Sequence, residues 1–246
     1  MAFAQSARPI EGAVATVGVS DRVAFLRKVY GVLGVSLIGF ACIAAGMMRF
    51  MPETSFKFSK WALEGRWNWA MVLVLFMVVG WVAERLARSQ TSQAVQYVGL
   101  AIAVIAEGII LQPMLWVAIL KFGPGGGPNI ILEAALITVA IFVGLTLTVF
   151  VTKKDFSFMR GVLMICSFAA LGVIFASIGF GFHLGAVFSG LMILLMAGYV
   201  LFQTSIIMKE FPPTAHVSAA LMLFSTIATL FWYVLRLLME LQSSRN

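Results

Sequence analysis

Long apolar runs alternate with short polar connections along the chain. A helix that crosses roughly 30 Å of hydrocarbon needs about 20 mainly apolar residues at about 1.5 Å each. Seven runs meet that length, near residues 29–48, 69–87, 94–120, 130–152, 158–179, 186–208 and 217–238. In lipid every backbone N–H and C=O must find a partner within the protein, so each run is predicted to be a helix. The expected architecture is an all-α integral membrane protein with seven transmembrane helices. Residues 1–22 form a cytoplasmic N-terminal segment, 23–238 the transmembrane domain and 239–246 a C-terminal tail.

Two connections stand out. Residues 49–68 carry Pro52, Lys57, Lys60, Trp61, Arg66 and Trp67, a mixture of aromatic and basic anchors expected to lie on the membrane surface. Residues 121–129, KFGPGGGPN, hold too much Gly and Pro for regular structure and read as a flexible turn. They lack the GxxxxGK[ST] order of a phosphate loop.

Composition changes the picture by exclusion. The chain is 61% hydrophobic and 11% charged, against about 25% charged in a soluble domain, so a soluble protein is ruled out. The net charge of +7 would suggest nucleic acid in a soluble chain. Here the basic residues sit between apolar runs, where they set topology and touch anionic lipid, and no nucleic-acid partner is expected. With the N-terminus inside, ten Lys and Arg fall on the inner side: Arg8, Arg22, Arg27, Lys28, Arg85, Arg88, Lys153, Lys154, Arg160 and Lys209. Seven fall outside: Arg49, Lys57, Lys60, Arg66, Lys121, Arg236 and Arg245. The expected topology is N-in and C-out. The basic group Arg22, Arg27, Lys28 follows the polar residues 1–22, which is not the order of a cleavable signal peptide, so the first run is expected to stay. Cys42 and Cys166 lie inside apolar runs and give no disulfide framework.

The candidate chemistry rests on the few polar side chains at membrane depth. Glu107 lies near the middle of the third run, about 13 residues or ~20 Å from either end. An ionised acid there costs at least about 2.5 kcal/mol. It is either a working group or a protonated acid bonded to nearby backbone, beside Gly108 and ahead of a kink at Pro113. Glu133 opens the fourth run, where it can pair with Lys121, stabilise a helix N-terminus or hold an ion. Glu84 reads as a surface partner for Arg85. Arg236 either snorkels to the headgroups or pairs with Glu240. His183 and His216 fall on opposite sides of the membrane and cannot share a metal; His216 reads as an exposed loop residue. No metal or cofactor site is predicted.

Enzyme signatures fail. Ser189-Gly190 belongs to a GxSG-like pattern in which Val187 replaces the glycine, and no histidine lies inside a run to act as base. There is no HExxH, and residues 221–238 hold no lysine for a retinal. A non-enzymatic membrane protein is expected.

Four stretches resemble the Bax inhibitor-1 family, and within it the YccA-like bacterial members. They are RVAFLRKVYGVLGVSLI at 22–38, EGIILQP at 107–113, ILEAALITVAIFVGLTLTVFVTKKDFSFMRG at 131–161, and the pair LFQTS at 201–205 with LFWYVLRLL at 230–238. The TKKDFSF turn is the most specific piece. The resemblance implies six helices wrapped around a seventh and a pH-sensitive leak for calcium or other cations. It also implies, for bacterial members, a stress or quality-control role through binding and regulating a membrane-bound protease complex in the inner membrane. The family's pH sensor is a pair of aspartates on the last two helices, closed by an arginine near the inner end of the second. In this chain the aspartate positions hold Gln203 and Thr226, which carry no charge, and this favours the protease-binding role, with the cation leak as the alternative. The two side chains are expected to hydrogen-bond between the sixth and seventh helices, at about 0.6 to 2 kcal/mol. The arginine is Arg85 or Arg88, and either is also readable as an inner-surface anchor. The candidate pore or sensing residues are therefore Glu107, Glu133, Arg85 and Arg88.

Overall fold

The computed structural model describes residues 12–16, 18–89, 92–152 and 154–244. Arg8, Lys153 and Arg245, which entered the charge count, lie outside the described residues, as does the side chain of Arg66. The helices are α1 (Val19–Phe50), α2 (Pro52–Glu64), α3 (Arg66–Ala87), α4 (Gln93–Ile110), α5 (Gln112–Thr152), α6 (Arg160–Phe180), α7 (Ala186–Glu210) and α8 (His216–Ser243). Short 3-10 turns at Val14–Thr16 and Ser157–Met159 complete the order, with no strand among the described residues.

Seven stretches are long and apolar enough to cross a membrane. They are α1, α3, Gln93–Gly123, Asn129–Thr152, α6 with the turn before it, α7 and α8. The helical ends pass the expected limits: α1 begins at Val19 and α8 runs to Ser243.

Two connections differ from expectation. Helical backbone continues on both sides of residues 121–129, and the chain breaks sharply at Gly123, with φ 73° and ψ 179°. Glycine tolerates that positive φ, and Pro124 follows at a helix start, where its missing N–H costs nothing. Residues 49–68 contain α2, whose Ser55, Ser59 and Ala62 share one face at helical spacing and are buried. Only the opposite side of this helix lies on the surface.

The bundle is organised on α8, the most buried span. α1, α3, α4, α5 and α7 pack against it. α6 stands at the edge, packed mainly on α7 and α3. α3 and α4 approach closely because Gly99 lies against the Ala83 carbonyl and the Ala87 N–H; a Cβ there would come within 2.6 and 2.7 Å of those backbone atoms.

The N-terminal end of α1, the α3–α4 connection, residues 154–159 and the α7–α8 turn lie at one end of the bundle, here the N-face. The Val14 N–H donates to the Phe211 carbonyl at 3.0 Å, tying the N-terminal segment to the α7–α8 turn.

Candidate functional site

A cavity of about 400 Å³ lies between α3, α4, α7 and α8. From α3 come Phe76, Gly80, Glu84 and Arg88; from α4, Ala103, Ala106 and Glu107; from α7, Met196, Tyr199 and Gln203. α8 supplies Ser218, Ser225, Thr226 and Thr229 among its wall residues. All four helices have one end at the N-face. Counted from those ends at about 1.5 Å per residue, Ser218 and Arg88 lie at the mouth, while Glu107, Met196 and Thr229 lie about 20 Å in. A second cavity of about 360 Å³ adjoins it and shares Arg88 and Ser218. The remaining walls of the second cavity include Gln96, Glu210 and Thr214 at the N-face. Their wall residues together run from the N-face to mid-membrane depth.

Of the candidate residues, Glu107, Arg88, Gln203 and Thr226 share the first cavity. Glu107 is half-buried, and its carboxylate has no hydrogen bond or ion pair among the described residues. Arg88 meets Glu84 at 2.6 Å, one turn apart on α3, so Glu84 pairs with Arg88 and not with Arg85. Arg85 turns away and packs over the Trp81 ring, 5.0 Å from its centroid. Glu133 is exposed near the break in α5, outside the cavity. Lys121 lies over the Phe122 ring, 5.8 Å from its centroid.

The expected bond between Gln203 and Thr226 does not form. Thr226 donates to the Met222 carbonyl of its own helix at 3.2 Å, and Gln203 Oε1 is buried without a partner. A hydroxyl on a helix has a backbone carbonyl one turn away, and that local acceptor wins over the neighbouring helix. His216 is a second correction: it is 5% exposed, with Nε2 3.3 Å from the Tyr97 hydroxyl. Arg236 pairs with Glu240 at 3.0 Å and also donates to the Leu184 carbonyl. Ser189 donates to Glu240 at 3.1 Å, which gives that serine a structural partner.

The TKKDFSF turn has a physical role at the N-face. Lys209 of α7 reaches Asp155 at 2.7 Å, and Asp155 Oδ1 accepts from the Ser157 N–H at 2.9 Å and from the Ser205 hydroxyl at 3.2 Å. Burial pulls the Asp155 carboxyl upward, but the Lys209 and Ser157 bonds and the Lys209 charge outweigh it and hold it at about 2. Arg160 adds a two-pronged contact to Glu210, 2.6 Å to each oxygen. These pairs fasten the connection before α6 to the end of α7, at the rim of the second cavity.

Gln112, inside EGIILQP, was not singled out from sequence. It is fully buried where α4 gives way to α5, and both atoms of its amide are hydrogen-bonded. Its Nε2 donates to the carbonyls of Gly108 at 3.0 Å and Ala44 at 3.2 Å, while Oε1 accepts from Ser55 at 2.6 Å. Ser55 in turn accepts from Trp116 Nε1 at 2.8 Å. The sequence signal was present: two serines four residues apart in an amphipathic stretch, and a Gln before Pro113 in an apolar run.

Comparison with known proteins assigns the architecture. Residues 22–244 match the family described as inhibitor of apoptosis-promoting Bax1. The chain is 30% identical to Bax inhibitor 1 of Schizosaccharomyces pombe over 95% of its length and 82% of that protein. It is 25% identical to Protein lifeguard 4 of mouse over 92% of its length and 88% of that protein. An uncharacterised protein of Pseudomonas aeruginosa is 31% identical over 46% of the chain and 51% of its own length. Bacterial relatives exist, but these matches do not single out the YccA-like branch. With nearly its whole length matched, the chain belongs to the Bax inhibitor-1 family.

Proposed function

We propose that the chain is a cation leak in the membrane it spans, with Glu107 as the working group and Gln203 and Thr226 on the walls of the path. The observation that carries this reading is Glu107 itself: an acid at mid-membrane depth, unpartnered among the described residues, on a cavity whose walls reach Arg88 and Ser218 at the N-face. An intramembrane acid facing a cavity marks an ion or proton pathway more often than a structural contact. Arg88, held by Glu84 at the mouth, is the arginine that takes part. Arg85 and Glu133 are left as surface residues.

The excess of basic side chains at the N-face supports placing that face in the cytoplasm. The bacterial relatives support the inner membrane as the location. The other reading, binding and regulation of a membrane-bound protease complex, rests on the resemblance alone, and no feature of the cavity favours it. Cation uptake into liposomes holding the purified protein tests the leak: uptake above protein-free liposomes is expected, and equal uptake overturns it.

A further inference from the structure

Two apolar grooves flank α3 in the half of the bundle remote from the N-face. The first, about 410 Å³, lies between α2, α3 and α4, with Trp61 at one end and Val79 and Ile105 further in. The second, about 660 Å³, lies between α3 and α6, from Trp67 to Val78 along α3, with Phe175 and Ile178 opposite. Met71 and Leu75 line both grooves. They stand one turn apart on α3, 54% and 62% exposed, and form a ridge between the two. Apolar side chains so exposed on a spanning helix face lipid, so both grooves open to the bilayer. Among the described residues no charged side chain lines either groove.

A groove in hydrocarbon that nothing fills forfeits the dispersion contacts of its lining, and a flexible chain recovers them. The dimensions fit the acyl chains of one leaflet. Along α3 the first groove runs about 12 Å from Met71 to Val79, and the second about 17 Å from Trp67 to Val78. One leaflet's hydrocarbon is about 15 Å deep. Each groove begins at a tryptophan, a residue that settles at the level of the headgroups. Two grooves on either side of one ridge match a lipid with two chains. Lys57 and Lys60 on α2 lie within one turn of Trp61. Their pairs with Glu53 at 3.7 Å and Glu64 at 3.5 Å are exposed and weak, which leaves both ammonium groups open to a phosphate.

We propose that these grooves hold one diacyl phospholipid of the leaflet remote from the N-face, with one acyl chain on each side of the Met71 and Leu75 ridge and the headgroup at the α2–α3 corner. Neither groove includes Glu107, so the site stands whether or not the chain conducts.

The test mixes the full chain, purified in detergent, with phosphatidylethanolamine or its single-chain lyso form and reads bound lipid by native mass spectrometry. One diacyl lipid per chain is expected to stay bound, at least tenfold over the lyso lipid at equal concentration. Ile105→Trp fills the first groove and Val74→Trp the second, and each is expected to lower retention at least fivefold. Leu194→Trp, at an exposed position of α7 that lines neither groove, is expected to leave retention unchanged. Ile109→Trp and Val78→Trp serve if the first pair do not fold, as read by the elution profile. Equal retention of the two lipids overturns the two-chain site. Folded groove variants that hold the lipid as the wild type does, or a Leu194→Trp protein that loses as much, overturn its location. A chain that retains no lipid, or a dimer that the groove variants dissolve, overturns the proposal.

Discussion

Glu107 and Gln112 lie five residues apart in the same span and show two uses of polarity inside a membrane. Gln112 has no exposed surface, and its amide nitrogen and oxygen are both engaged, by α1 and α2 as well as by its own span. Glu107 has a carboxylate with no partner among the described residues, on a cavity wall. A polar group in hydrocarbon is costly unless its hydrogen-bonding capacity is met. At Gln112 the protein meets it, and the result is a joint that holds α2 against the break between α4 and α5. At Glu107 the capacity is unmet among the described residues, and the proposed cation path rests on that.

The comparison can be broken most severely at the joint. Gln112→Leu leaves the buried Ser55 O–H without its acceptor, although Trp116 still donates to that oxygen, and an unmet buried polar group costs about 1–3 kcal/mol. A loss of roughly 3 kcal/mol in unfolding free energy is expected, read as a lower thermal midpoint in detergent, with cation uptake per folded molecule unchanged. If uptake falls in proportion to Glu107 variants, the two groups are not separate in function.

Gly99→Ala comes next. Its Cβ would meet backbone of α3 within 2.7 Å, so α3 must move away from α4, at a cost of about 2 kcal/mol. Because both helices line the cavity, this variant is expected to change uptake as well as the thermal midpoint; an unchanged midpoint would show that α3 yields freely.

The smallest effect is at the N-face clamp. Asp155 sits at about 2 in the fold against an ordinary 3.8. Its contribution is therefore complete above about pH 4 and is lost as the pH falls toward 2. Asp155→Asn is expected to cost about 1 kcal/mol near neutral pH and to flatten the acid limb of the stability curve between about pH 4 and 2. An acid limb identical to that of the wild type contradicts the clamp.

The seven spans were readable from the sequence because hydropathy reports length directly, and the depth of Glu107 followed from counting along its run. Facing was not readable. Arg85 and Arg88 are three residues apart, and choosing between them needs the rotation of α3, which is fixed by contacts such as Gly99 against Ala83. The Gln112 joint depends on Ser55, 57 residues away, and no local pattern ties the two. His216 was misread because its cover comes from Tyr97 on another helix. Thr226 was misread because its own backbone offered an acceptor.

The most direct measurement is cation uptake by Glu107→Gln beside the wild type, at equal protein density in liposomes. The substitution keeps size and hydrogen-bonding shape and removes the group's ability to ionise, so stability should stay within about 0.5 kcal/mol. The account predicts that uptake falls at least tenfold while the thermal midpoint holds. Equal uptake by the two proteins would contradict it.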